Sequence, residues 1–261
     1  MIALQMKYQI MKYQIMKYAK ITSHKKIFRT TYDDVNLTTS IIKNTFEYSR
    51  FISEKNSIPI TSLRTALPFA LGDFQQHIVV LDFGGGAGTT YFEAKHFFPE
   101  KDFEWIILET KTMVNMAQTS NYSNNELKFI SDFAELDDIE IDLVIANSSL
   151  QYTDNPTEYL NKLIKLKAKY LYITRMPLTN GDSEKVLQTS VLGENGPQVE
   201  NQFVNKTRIN IQATVVSKNT FENLLESCYQ ITYRILEEKS GFNASGRSFD
   251  LFGYFCLLNI E

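Results

Sequence analysis

The stretch Ile78-Val-Val-Leu-Asp-Phe-Gly-Gly-Gly-Ala-Gly-Thr-Thr-Tyr-Phe-Glu-Ala-Lys-His-Phe97 decides how this chain is read. Its first six residues form a nearly uninterrupted apolar run, as expected of a central parallel strand covered on both faces. Gly84, Gly85, Gly86 and Gly88 follow, and helix-compatible residues resume at Thr89. A glycine-rich turn between strand and helix lets backbone approach a ligand, with the amide groups of the helix start facing it. The dinucleotide fingerprint G-x-G-x-x-G fails here: its last glycine falls on Thr89 when counted from Gly84, and on Tyr91 from Gly86. A phosphate-loop lysine is missing too, because the loop ends in Gly88-Thr-Thr.

Outward from this stretch, strands and helices alternate. Trp105–Glu109, Leu127–Ile130, Asp142–Asn147 and Lys169–Thr174 read as further strands, with helices over Thr89–Phe98, Lys111–Gln118 and Asn155–Leu166. That rhythm predicts right-handed crossovers and an α/β, doubly wound, Rossmann-like and mostly parallel sheet. Ser217–Cys228 reads as a helix. Gln230–Leu236 and Phe249–Leu258 read as strands joined by a polar loop over 237–248, an antiparallel C-terminal hairpin. Residues 176–216 are rich in turn chemistry, with Pro177, Asn180-Gly181, Gly193, Asn195-Gly196 and Pro197. They are expected to form an excursion of irregular or short β segments on the acceptor side, since open α/β sheets bind ligands at the carboxyl ends of their strands.

Upstream, residues 31–75 carry apolar residues at helical spacings, interrupted by Pro59 and Pro68, and predict a cap of two or three short helices. Residues 6–20 are a five-residue near-repeat starting at Met6, Met11 and Met16. A lysine in every repeat rules out a secretory signal's apolar region, and a period of five fits neither helix nor strand, so little of the 1–30 tail should pack. The expected division is therefore a 1–30 tail, a 31–75 helical cap, a core of 76–175 with 217–261, and the 176–216 excursion.

The chain has 261 residues, 43% of them hydrophobic, enough for one sizeable core. A net charge of −3 lacks the basic footprint of nucleic-acid binding, and no N/D-P-P-Y/F/W signature follows the fourth strand. Cys228 and Cys256 are too few for a zinc cluster or disulfide framework. His24, His77 and His96 are too scattered for a metal triad, and no metal is expected. No apolar run is long enough to span a membrane. A cytoplasmic protein is expected.

Asp82-Phe-Gly84-Gly-Gly86-Ala-Gly88 resembles motif I of class I S-adenosylmethionine (AdoMet)-dependent methyltransferases. Leu81–Tyr91, Trp105–Glu109, Ser148–Tyr152 and Tyr172–Pro177 together resemble a bacterial methyltransferase group associated with surface-polysaccharide gene sets. The resemblance implies AdoMet as cofactor and S-adenosylhomocysteine as product. It implies that Asp82 reaches the amino group of the methionine moiety, with Gly84, Gly86 and Gly88 cradling it. Glu109, 27 residues after Asp82, takes the ribose hydroxyls. Asp132 and Phe133 meet the adenine, with Ser131 an alternative to Asp132, and the polar residues of Asn147-Ser-Ser-Leu-Gln-Tyr152 face donor and acceptor.

A hydroxyl acceptor must lose a proton, which normally recruits a histidine or carboxylate. His77 and His96 fall away from the expected site; His24, on the N-terminal segment, could fold over the pocket, and Asp154 and Asp182 are further candidate bases for a hydroxyl. Scarce histidine favours a small acceptor already anionic, such as a phosphate or phosphoramidate on a polysaccharide sugar or a nucleotide-linked sugar. Arg175 would hold it by forked hydrogen bonds and Tyr152 would orient it; the alternative for Arg175 is an ion pair with Asp154. The competing readings are AdoMet binding without methyl transfer and an AdoMet-fold enzyme of other chemistry.

Overall fold

The computed structural model describes residues 28–55, 58–119, 125–199 and 205–259. The near-repeat and His24 lie outside the described residues. The strands are β1 Phe28–Thr30, β2 His77–Phe83, β3 Asp102–Leu108, β4 Leu127–Ile130, β5 Leu143–Asn147, β6 Tyr170–Thr179, β7 Glu184–Val191, β8 Arg208–Ser217, β9 Tyr229–Ala244 and β10 Arg247–Leu258. The α-helices are α1 Val35–Lys55, α2 Leu63–Leu71, α3 Thr89–Phe97, α4 Lys111–Thr119, α5 Pro156–Lys165 and α6 Lys218–Glu226.

β4, β3, β2, β5 and β6 pair in that order, all parallel. β10 then joins β6 antiparallel and β9 joins β10, so the C-terminal hairpin closes this side of the sheet. The expected Rossmann-like, doubly wound arrangement is what forms. From β2 the chain winds outward through β3 to β4, then returns to place β5 on the other side of β2. The switch point therefore lies between the carboxyl ends of β2 and β5, where open α/β sheets take their ligands.

The apolar runs are buried on both faces, which is why they do not alternate. Leu81, Phe83, Val144 and Leu171 pack with Leu160 and Leu163 of α5 and Phe221 of α6. On the other face Val80, Trp105 and Ile107 pack with Tyr91 and Ala94 of α3 and Val114 of α4. α5 starts where the sequence requires: Asn155 Oδ1 accepts the Glu158 N–H, Pro156 occupies the first turn, and Lys162 and Lys165 sit in the last.

Four segments differ from expectation. The cap is one 21-residue helix, α1, followed by a 3-10 turn at Ile60–Ser62 and by α2 with Pro68 inside it. Pro59 falls after α1 and so leaves it whole. The 176–216 segment takes the β form, one of the two expected, in strands longer than expected: β6 runs on to Thr179, and β7 and β8 pair antiparallel from Glu184↔Val215 to Val191↔Arg208. Its turn residues fall between strands, except Pro177, which lies inside β6. The polar loop at 237–248 shrinks to Ser245-Gly246, both at positive φ, the two-residue geometry that matches strand twist. Phe28–Thr30, within the expected tail, pair with β8.

A buried carboxylate fastens the cap. Glu93 on α3 accepts hydrogen bonds from the hydroxyls of Tyr48 (2.7 Å), Ser62 and Thr65, which come from α1, the 3-10 turn and α2. Burial and the Glu93 charge both push the Tyr48 hydroxyl pKa up, so it stays a donor. Glu93→Gln places an amide donor against hydroxyl donors and is expected to cost about 2 kcal/mol in urea denaturation. A loss under about 0.5 kcal/mol would mean that the cap is held elsewhere.

Candidate functional site

The switch point is built by two loops in contact. After β2 the backbone enters the glycine turn with Gly84 at φ +67°, a left-handed conformation costly for any residue with a Cβ. A Cβ on Gly84 would also lie 2.4 Å from the Ser149 Cβ, so the β2 loop and the β5 loop pack without room between them. Gly88 closes the turn with its N–H on the Gly85 carbonyl (3.1 Å) and begins α3.

Asp82 is completely buried beneath this turn. Its Oδ2 accepts from Trp105 Nε1 at 3.3 Å, while Oδ1 has no partner. Burial, reinforced by the nearby Glu109 and Glu93 charges, pushes its pKa up to about 7 against the Trp105 and Thr90 hydrogen bonds. Among the described residues, three other buried side-chain atoms lack partners: Asn147 Oδ1, Ser149 Oγ and Gln151 Oε1. All four belong to the end of β2 or to the end of β5 and the segment just after it. Buried polar atoms are normally paired, because leaving one unpaired costs about 1–3 kcal/mol. Four such atoms at one switch point mark a place prepared for a polar ligand.

Glu109 follows β3 and is already engaged: Oε1 accepts from Gly86 N–H (3.0 Å) and Oε2 from Thr110 N–H (2.7 Å). Burial raises its pKa against these two bonds, and Asp33 adds to the rise. Each carboxylate oxygen keeps a second lone pair. Asp132 caps the 3-10 turn Phe133–Leu136 through Oδ1 and Ala134 N–H (3.0 Å). The Phe133 ring packs beside Phe83 and Tyr159, on the α5 face of the sheet. Thus Asp82, Gly84, Gly86, Gly88, Glu109 and Asn147 gather around the switch point, while Asp132 and Phe133 stand at the end of β4.

Tyr152 and Arg175 form a second group. Tyr152 closes the 3-10 turn Leu150–Tyr152 and donates to Gln188 Oε1 on β7 at 2.7 Å. Its ring lies 4.8 Å from that of Tyr32, in the segment between β1 and α1. Burial raises the pKa of both hydroxyls, and the neighbouring Arg175 guanidinium opposes the rise at both. Among the described residues Arg175 makes no ion pair, with Asp154 or any other acid. The strand runs past its expected end at Thr174, so Arg175 sits inside β6, at φ +58°.

Above the turn, α1 packs Leu37 and Ile41 against Ala87 and Met113. Asn44 Nδ2 donates to the Gly193 and Asn195 carbonyls (2.9 and 2.6 Å), joining α1 to the 3-10 turn after β7. Ser149 and Gln151 belong to the Asn147–Tyr152 stretch that the sequence reading placed at the site, and Tyr32 is the residue that it left out. Tyr32 carries no signal, because only the tertiary fold brings it from the cap to Tyr152. His77 begins β2 at the opposite edge of the sheet, and His96 lies at the far end of α3. The described residues hold no cluster of metal-ligating side chains and no helix long and apolar enough to cross a membrane.

No protein-family model and no curated protein matches the chain. Its structure is similar to that of a SAM-dependent methyltransferase from Methanosarcina mazei, with 14% identity over 72% of this chain and 95% of that one and a TM-score of 0.47. It is similar to 1,6-didemethyltoxoflavin-N1-methyltransferase from Burkholderia thailandensis, solved with 1,6-didemethyltoxoflavin and S-adenosylhomocysteine bound, at 13% identity, 83% and 87% coverage and a TM-score of 0.46. It is also similar to the [4+2]-cyclase SpnF, at 10% identity, 92% and 100% coverage and a TM-score of 0.48. A shared architecture assigns no reaction, so the reaction must be argued from the site.

Proposed function

We propose that the chain is an AdoMet-dependent methyltransferase that O-methylates a small polar acceptor bearing an anionic group. The acceptor class is a phosphate or phosphoramidate on a surface-polysaccharide or nucleotide-linked sugar. The observation that carries the reading is the convergence of four unpartnered buried atoms, on Asp82, Asn147, Ser149 and Gln151, beneath and beside a glycine turn. Three of the four are carbonyl or carboxylate oxygens, which only accept hydrogen bonds. They suit a ligand end rich in donors, and the buried Asp82 carboxylate suits an ammonium in particular.

AdoMet, when bound, supplies a methyl group on a sulfonium for in-line displacement. The chain's own residues do the rest. Asp82 takes the ammonium, directly or through a water. Gly86 and Thr110 N–H groups fix the Glu109 carboxylate, whose free lone pairs accept from the ribose hydroxyls. Asp132 retains an uncommitted oxygen for the adenine amino group, with Phe133 beside it. Arg175 binds the acceptor's anionic oxygens and Tyr152 orients them, so no proton has to be removed before transfer.

Labelled methyl transfer from AdoMet to a panel of phosphorylated and nucleotide-linked sugars tests this reading. Label appearing in an acceptor with wild type, and lost in Arg175→Ala, is the expected result. Label transferred equally well by Arg175→Ala would overturn the anionic acceptor.

The Asp82 pKa adds a pH dependence. An ammonium binds the ionised carboxylate, so affinity for S-adenosylhomocysteine is expected to rise as pH climbs through about 7 and then level off. Below that value each pH unit should weaken binding by up to about tenfold. Calorimetry from about pH 5.5 to about pH 8.5 checks it. A flat profile would mean that Asp82 does not meet the cation.

A further inference from the structure

Two irregularities of the sheet face each other across β10. On β6, Ile173 pairs with Tyr254 and Met176 with Phe252, so Thr174 and Arg175 together oppose Gly253. On β9, Leu236 pairs with Phe252 and Glu238 with Leu251, which leaves Glu237 as an extra residue. Gly253, between the two bulges, has no side chain, and a Cβ there would lie 2.6 Å from Glu237 Oε1. Through this gap Glu237 Oε1 accepts hydrogen bonds from Thr174 Oγ1 (2.6 Å) and from the Arg175 backbone N–H (2.8 Å). Its Oε2 lies 3.5 Å from Arg64 Nε on α2, and the side chain is only 11% exposed.

A left-handed backbone at an arginine persists only where the surroundings over-determine it, and bulges of this kind re-aim side chains. We propose that Glu237 is a positioning residue for the acceptor side of the site: reaching across Gly253, it holds the Thr174–Arg175 bulge in the conformation that presents Arg175 beside Tyr152. The inference rests on Arg175 being the group that binds the acceptor's anion. Arg64 extends the same link to the cap, so the arginine is set by three distant parts of the chain.

The test compares wild type with Glu237→Ala, Glu237→Gln and Arg175→Ala in three measurements. These are hydrogen exchange at the Arg175 amide, calorimetric affinity for inorganic phosphate, and affinity for S-adenosylhomocysteine. In Glu237→Ala the Arg175 amide is expected to exchange at least about tenfold faster. Phosphate affinity should fall roughly tenfold, as in Arg175→Ala, while S-adenosylhomocysteine affinity stays within about twofold. Glu237→Gln keeps an oxygen that accepts both bonds and should restore exchange and phosphate affinity. Gly253→Ala fills the gap from the neighbouring strand, gives the same pattern as Glu237→Ala, and replaces it if that variant does not fold.

Unchanged exchange at Arg175 in a folded Glu237→Ala variant overturns the proposal. So does full phosphate affinity in Glu237→Ala when Arg175→Ala has lost it. A wild type that takes no phosphate, or an Arg175→Ala variant that takes it equally well, overturns the anion reading instead. The exchange measurement alone then decides whether Glu237 sets the bulge.

Discussion

Asp82→Ala is expected to weaken S-adenosylhomocysteine binding about a hundredfold, a loss of roughly 2.7 kcal/mol. The size follows from the position of the carboxylate. A fully buried acid interacts with a cation in a medium that screens little, and a charge-assisted hydrogen bond there is worth about twice a neutral one. Stability should change little. The carboxylate now pays a desolvation penalty that the substitution removes, offset by the loss of an acceptor for Trp105 Nε1. Calorimetry and thermal unfolding on one preparation separate the two effects. Unchanged affinity in a folded variant would place the ammonium elsewhere.

Gly84→Ala should be the most damaging small substitution at the site, costing about 3 kcal/mol. Two physical costs add: the left-handed backbone, about 1–2 kcal/mol, and a methyl group forced into a packed loop, about 1–3 kcal/mol. Urea denaturation measures the loss, and Gly246→Ala is its internal control. Gly246 has the same sign of φ (+72°) but nothing within 4 Å of an added Cβ. Its substitution therefore carries the backbone cost alone, about 1 kcal/mol. Equal losses at the two positions would show that the Ser149 contact yields freely.

The parts of the fold legible in the sequence are those determined by local chemistry. Ile78–Phe83 and Asp142–Asn147 read as strands because burial on both faces makes a continuous apolar run. Asn155-Pro156 marked a helix start because capping is a matter of adjacent residues. The placement of Glu109 beside the glycine turn was legible from chain order alone, since a strand following the first crossover must end near it. What escaped depends on partners distant in sequence. β7 and β8 were read only as irregular or short β segments, because turn residues dominate the stretch and only one face of β7 is well buried at Val186. The Arg175 bulge lies against Gly253 and Glu237, more than sixty residues away, which no local pattern announces. Tyr32 reaches Tyr152 only because α1 folds back over the glycine turn.

The central claim is that the switch point between β2 and β5 is a donor site for AdoMet. The most direct measurement is a calorimetric titration of the folded wild-type protein with S-adenosylhomocysteine at about pH 8, where Asp82 is ionised. The account predicts saturable binding of one molecule per chain, with a Kd in the micromolar range or tighter. Absence of heat and of thermal stabilisation from a well-folded protein at millimolar ligand would contradict it, and the unpartnered atoms of Asp82, Asn147, Ser149 and Gln151 would then belong to a different ligand.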